Sequence, residues 1–98
     1  MRELVLDGAD WKNSDDLYNA FFKAVGAPAW HGRNFSAIDD SIASGGVNAV
    51  DPPYKLIIKN YDRIGSGAKQ MTDDFVDLIE KIAASGIPVE IRVIRSDQ

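Results

Sequence analysis

The sequence predicts an α/β fold: a three-stranded, mostly parallel sheet with packed helices, in the order β-α-α-β-α-β. Three observations predict it. Short apolar runs stand at Glu3–Asp7 (ELVLD), Tyr54–Lys59 (YKLIIK) and Pro88–Arg95 (PVEIRVIR). The stretches between them carry apolar residues at helical spacing. Those stretches are also long enough for the right-handed crossovers that parallel neighbours need. A chain of 98 residues is expected to form one domain, 1–98, with a core large enough to need no disulfide or metal staple.

The first strand, Glu3–Asp7, ends at the turn pair Asp7-Gly8. Ser14 is expected to cap the first helix, because Asp15 and Asp16 follow it and suit the positive helix end. Leu17, Phe21, Ala24 and Val25 lie at helical spacing with Ala20 and Phe22 beside them, and Gly26 stops the helix. Trp11 is expected to cover its start. Ala27-Pro28-Ala29 is a stiff connector. Trp30–Arg33 reads as a turn, and Asn34 as the cap of a second helix. Gly45–Pro53 (GGVNAVDPP) is a loop by composition. In the second strand Leu56, Ile57 and Ile58 are continuous enough for burial on both faces. Asn60–Gly67 reads as a polar turn. Lys69–Ser85 carries Met71, Phe75, Leu78, Ile79, Ile82 and Ala83 at helical spacing, with Gly86 as its stop. In the last strand Val89, Ile91 and Val93 alternate with polar residues, which suits a sheet edge. Ser96–Gln98 is a tail.

Composition excludes several functions. The absence of cysteine removes disulfides, thiol chemistry and Cys-based zinc sites, and fits a cytoplasmic protein. No apolar run approaches a membrane span, and the first residues (MRELVLDG) do not read as a signal peptide, so no membrane association is expected. The formal net charge of −4 disfavours direct nucleic-acid binding, which draws its affinity from clustered Lys and Arg. It favours a basic protein partner. No cofactor or metal is expected. The glycines at 45, 46, 65 and 67 match neither a P-loop nor a dinucleotide fingerprint and read as flexible loop. His31, Asp39 and Asp40 do not share one helical face.

Trp30–Ser44 (WHGRNFSAIDDSIAS) concentrates the unusual residues. Projection at 100° per residue separates its faces. Phe35, Ile38 and Ile42 form the core side. Asp40 points away, with Ser36 and Ser44 in the same outward sector and Asp39 on the flank. The pairs Asp15-Asp16 and Asp73-Asp74 are read as sitting near helix starts, where the macrodipole accounts for them; Asp39-Asp40 is mid-helix and is not so explained. His31, the only histidine, has two readings beside the chemical one: a surface loop residue, or a partly buried ring bonded to backbone. The chemical reading makes it a base oriented by Asp39 or Asp40, but no nucleophile motif accompanies it, and Ser36 and Ser41 read as ordinary helix serines.

Over Trp30-His31-Gly32-Arg33-Asn34-Phe35-Ser36-Ala37-Ile38-Asp39-Asp40-Ser41-Ile42 the chain resembles the barstar family of intracellular ribonuclease inhibitors. The family pattern there is an aromatic pair, Gly, any residue, Asn, a large apolar residue, Asp, Ala, Leu, any residue, Asp, a small residue and Leu. The Asp7-Gly8 turn, the Ser14-Asp15-Asp16-Leu17 helix start and Gly86 extend the resemblance. It implies a barstar-like domain that plugs the active site of a small basic endoribonuclease, one-to-one, and is not an enzyme. It implies that Asp40 occupies the enzyme's phosphate-binding site and that Trp30 and His31 cover that site. Gly32 and Asn34 match the family's turn and helix start, with Ala37 conserving the pattern. Ser36 and Asp39 match positions where the best-known member has an aspartate and an aromatic. Ala43 and Ser44 follow in the contact region, and Glu80 corresponds to an outlying acidic contact. Gly45-Gly46-Val47 replaces an aromatic contact, and the loop to Pro53 is longer. The rival expectations are an adaptor or immunity protein for another basic protein or nuclease toxin, and a small hydrolase using His31.

Overall fold

The computed structural model describes residues 1–97; Gln98, the last residue of the expected tail, lies outside them. β1 (Arg2–Asp7) pairs with β2 (Tyr54–Lys59), which pairs with β3 (Val89–Val93). Both pairings are parallel, in register from Arg2↔Tyr54 and from Tyr54↔Val89. The helices are α1 (Ser14–Val25), α2 (Phe35–Ser44) and α3 (Ser66–Ala84). The predicted order and parallel pairing are therefore those of the protein.

One face of the sheet holds the core. Leu4, Leu6, Tyr54, Leu56, Ile58 and Val89 are buried there against Phe21, Val25, Phe75, Ile79 and Ile82 of the helices. α1 packs on β1 and α3, and α3 packs on β3. The opposite face carries no helix layer. Ile57 is only half-buried and Val5 is 53% exposed, so the expectation that β2 is buried on both faces is corrected. With a sequential strand order, crossovers of a single hand all fall on one side of the sheet. The open face is instead kept wet by cross-strand charges: Glu3, Lys55 and Glu90 stand in register, as do Asp7 and Lys59. Opposed charges of this kind stabilise a solvated sheet face modestly.

Helix starts differ from the expectations for local reasons. Asn13, not Ser14, caps α1: its extended backbone lets its side chain accept from the Asp16 N–H, while the Asp16 carboxylate accepts from the N–H groups of Lys12 and Asn13. That reciprocal box needs the acid three residues on, which selects Asn13 over its neighbour. The backbone bonds hold the Asp16 carboxyl below its usual range, the bond from Lys12 most strongly. α3 begins at Ser66 rather than Lys69, and a 3-10 turn occupies Tyr61–Arg63 within the expected loop. The glycines there serve close packing. A Cβ on Gly67 would lie 2.3 Å from the Lys12 carbonyl oxygen, so the first turn of α3 abuts the backbone beside the buried Trp11. This start makes Asp73 and Asp74 mid-helix, which removes the macrodipole explanation for them. Asp73 instead accepts the Tyr61 hydroxyl, and Asp74 accepts from the Gln70 amide at 3.0 Å. β3 is shorter than the expected Pro88–Arg95 run, and Ser96 of the tail is bonded to the Asp62 carboxylate through its N–H and its hydroxyl.

Tyr54 is fully buried, and its hydroxyl has no hydrogen-bond partner among the described residues. Burial pushes the phenol up from its ordinary 10.0 to about 12. The native state thus holds this proton more tightly than the unfolded chain does. The contribution is fully present below about pH 10 and is lost as pH rises towards about 12. Removing an unsatisfied buried hydroxyl relieves a desolvation cost of about 1 kcal/mol or more. Tyr54→Phe is expected to raise the melting temperature by roughly 4–8 °C and to flatten the alkaline limb. A lowered melting temperature at pH 7 would show that the hydroxyl is satisfied after all.

Candidate functional site

α2 stands apart from the other helices. It packs on α3 through Phe35, Ile38 and Ile42 rather than lying along the sheet, so its outer side is free. Asn34 caps it as expected, accepting from the Ala37 N–H at 2.8 Å. Ile38 and Ile42 are buried; burying a side chain of this size is worth about 1.5–3 kcal/mol. Asp39, Asp40, Ala43, Ser44 and Ser36 are exposed.

The turn before α2 is clamped to α1. Arg33 pairs with Asp15 at 3.2 Å, donates to Asn19 at 3.0 Å and lies over the Tyr18 and Phe22 rings. Phe22 in turn meets the His31 ring, centroids 4.6 Å apart. The His31 ring is 7% exposed. Its Nδ1 lies 2.8 Å from the Gly32 carbonyl oxygen and its Nε2 2.9 Å from Ser41 Oγ. Of the non-chemical readings the buried ring bonded to backbone holds. Among the described residues the ring nitrogens meet a backbone carbonyl and a serine hydroxyl, not a carboxylate, which is not the pairing with Asp39 or Asp40 that the hydrolase reading requires.

Turn, helix and following loop enclose a cleft of about 230 Å³ lined by Trp30, His31, Gly32, Ala37, Asp40, Ser41, Ser44 and Val47. Six of the residues singled out from sequence meet there: Trp30, His31, Gly32, Ala37, Asp40 and Ser44. Trp30 is 75% exposed and forms a projecting wall. Asn34, Ser36, Asp39 and Ala43 do not line the cleft. Glu80 is exposed on α3, where Asp74, Asp77, Leu78 and Lys81, and not Glu80, border Phe35 at the start of α2.

Ser41 and Asn48 were not singled out as site residues, and Val47 was named only within the Gly45-Gly46-Val47 departure from the family pattern. Ser41 is buried, contrary to its reading as an ordinary helix serine, and Asn48 reaches it from the loop. The only sequence signal for Ser41 was its position beside Ile38 and Ile42; for Asn48 there was none. The loop itself is tethered rather than flexible. Ala49 and Val50 donate to the carbonyls of Gly26 and Val25, and Gly46 donates to Asp51. Gly26 is left-handed (φ 65°), and a Cβ there would meet the Ala49 Cβ at 2.7 Å, so glycine both ends α1 and admits the loop.

Chemically, the site offers a carboxylate at the rim of an apolar-walled cleft beside an exposed indole. Among the described residues no group of three or more His, Cys, Asp or Glu side chains is placed to hold a metal ion, and no helix is long and apolar enough to cross a membrane.

Residues 1–94 match the family model described as Barstar (barnase inhibitor). A protein of Bacillus subtilis (strain 168) named "Putative ribonuclease inhibitor YrdF" is 27% identical over 94 residues, covering 96% of this chain and 98% of that protein. The chain belongs to the barstar family. That family is one of inhibitors, not of enzymes, and both similarities support a ribonuclease-inhibitor type of function.

Proposed function

We propose that this barstar-family chain, a single barstar-like domain over 1–98, inhibits a small basic endoribonuclease inside the producing cell by covering its active site one-to-one. The observation that carries the reading is Asp40: an exposed carboxylate on the rim of a cleft whose projecting wall is Trp30. A ribonuclease holds RNA phosphates with clustered cations. A carboxylate presented on a rigid helix can stand where the phosphate would sit, while a neighbouring aromatic excludes water from the contact. The cleft beside Asp40 has room for one cationic side chain of the enzyme. His31 acts here mainly from below, with Gly32 and Asn34 shaping the turn and the helix start. Ser36, Ala37, Asp39, Ala43 and Ser44 form the surrounding contact surface, and Asp74 and Asp77 extend its negative charge more directly than Glu80 does.

The test is an inhibition titration against a panel of small basic bacterial ribonucleases. Stoichiometric inhibition of at least one member is the expected result. Recovery of complexes with basic proteins that are not nucleases, and no inhibition in the panel, would favour an adaptor instead.

Electrostatic steering adds a second expectation. The association rate with the inhibited enzyme should fall by about tenfold or more between low and high ionic strength, because the steering field is screened within about 10 Å at 0.1 M salt. Stopped-flow mixing over a salt series measures this. A flat series would remove the complementary-charge component of the reading.

A further inference from the structure

One buried polar chain runs beneath the cleft. It starts at the Gly32 carbonyl, passes through the His31 ring to Ser41 Oγ, and ends on Asn48, whose Nδ2 donates to Ser41 Oγ at 3.3 Å. His31, Ser41 and Asn48 are each more than nine-tenths buried. They come from the three walls of the cleft: the turn that carries Trp30, the helix that carries Asp40 and the loop that carries Val47.

The hydrogens in this chain follow from its ends. A carbonyl oxygen only accepts, so Nδ1 carries a hydrogen and donates to Gly32. In the neutral ring Nε2 is then an acceptor. The Ser41 hydroxyl must donate to it, and the Ser41 lone pairs receive the Asn48 amide. That draws the hydroxyl away from its other acceptor, the Ile38 carbonyl at 3.1 Å. Apart from the bonds that cap the two ends of α2, Asn34 with Ala37 and Ile38 at its start and the Gly45 N–H donating to the Ser41 carbonyl at its end, the remaining anchors of the turn and loop lead elsewhere. Arg33 ties the turn to α1, and Ala49 and Val50 tie the loop to α1. On the cleft side, Asn48 provides the side-chain hydrogen bond from the loop to α2.

We infer that His31, Ser41 and Asn48 are positioning residues for recognition: their shared hydrogen-bond chain fixes Trp30 and Val47 against the helix that carries Asp40. This rests on the inhibitor reading of the cleft. Fixing the walls before binding removes an ordering cost from complex formation, so the chain acts on how long the complex lasts. Because the loop keeps its tethers to α1, losing the Asn48 side chain frees the Val47 wall without unfolding the protein.

His31 is the only histidine, so its ring nitrogens give a single set of long-range ¹H–¹⁵N signals in the free protein. The neutral ring is expected to carry its hydrogen on Nδ1; a ring carrying it on Nε2 overturns the chain. In ¹⁵N relaxation, Ser41→Ala and Asn48→Ala should each lower the order parameter of the Val47 amide while Ala49 and Val50 remain rigid. Unchanged order at Val47 in both variants overturns the positioning role. Against whichever enzyme the wild type inhibits in a panel of small basic ribonucleases that includes barnase, each variant should dissociate about tenfold faster. The double variant should also be about tenfold faster, since both changes cut the same chain; a hundredfold effect would mean two independent local contacts and would overturn the shared chain. Should the wild type inhibit no enzyme of the panel, the inhibitor reading fails, and the ring and relaxation results decide the positioning role without it.

Discussion

Asp40→Ala is expected to weaken inhibition by about two to four orders of magnitude, while Asp39→Ala costs about tenfold or less. Both carboxylates are exposed in the free chain and adjacent in sequence, so net charge cannot separate them. Position does: Asp40 lines the cleft and Asp39 does not. On the proposed reading, Asp40 becomes desolvated among the enzyme's cations when the complex forms. Removing one member of such a buried pair leaves the others uncompensated, which costs about 3–5 kcal/mol, whereas a charge that stays solvated outside the cleft, as Asp39 does, contributes about 1 kcal/mol or less. Inhibition constants for the two variants, with circular dichroism to confirm that both are folded, measure the difference. Equal and small effects would show that the Asp40 carboxylate is not the plug.

Phe75→Ala is expected to cost about 3–5 kcal/mol of folding stability, a large share of the roughly 5–15 kcal/mol that holds a domain together. Phe75 is fully buried in α3. Its ring lies 5.2 Å from Phe21 of α1, edge-on, and 6.3 Å from Phe35 of α2. It is therefore the aromatic that joins the helix lying on the sheet to the helix that presents Asp40. Truncation leaves a cavity between three helices that cannot all close on it. Urea unfolding monitored by tryptophan fluorescence reads the loss, and a cost below about 1 kcal/mol would mean that the core relaxes around the gap. Inhibition by the variant should weaken on warming before the protein as a whole unfolds, because α2 rests mainly on α3.

Much of the fold was legible because its signals are local. β2 occupies the same six residues in sequence and structure, Tyr54–Lys59, since a short apolar run bounded by a proline pair and an asparagine has few alternatives. The start of α2 at Asn34 was likewise readable from cap chemistry. The start of α3 was not. Ser66 and Gly67 look like loop, and only the approach of the Lys12 carbonyl explains a glycine in a first helical turn. Ile57 misled for a related reason: an apolar run says that a strand can be buried on two faces, but a second layer must be available to bury it.

The two flanks of α2 divide what the sequence determined by itself from what only the tertiary structure decided. Spacing alone separated Phe35, Ile38 and Ile42 from Asp40, because that separation depends on nothing but the helical period. Ser41 and Asp39 flank this apolar stripe on opposite sides, and the period cannot rank them. In the folded chain Ser41 is buried under His31 and Asn48, while Asp39 faces solvent. What covers a flank is set by residues distant along the chain: a turn clamped to α1 and a loop tethered to the end of α1. Most buried polar groups are hydrogen-bonded, and His31 and Asn48, the side-chain partners of Ser41, are brought to it only by the fold.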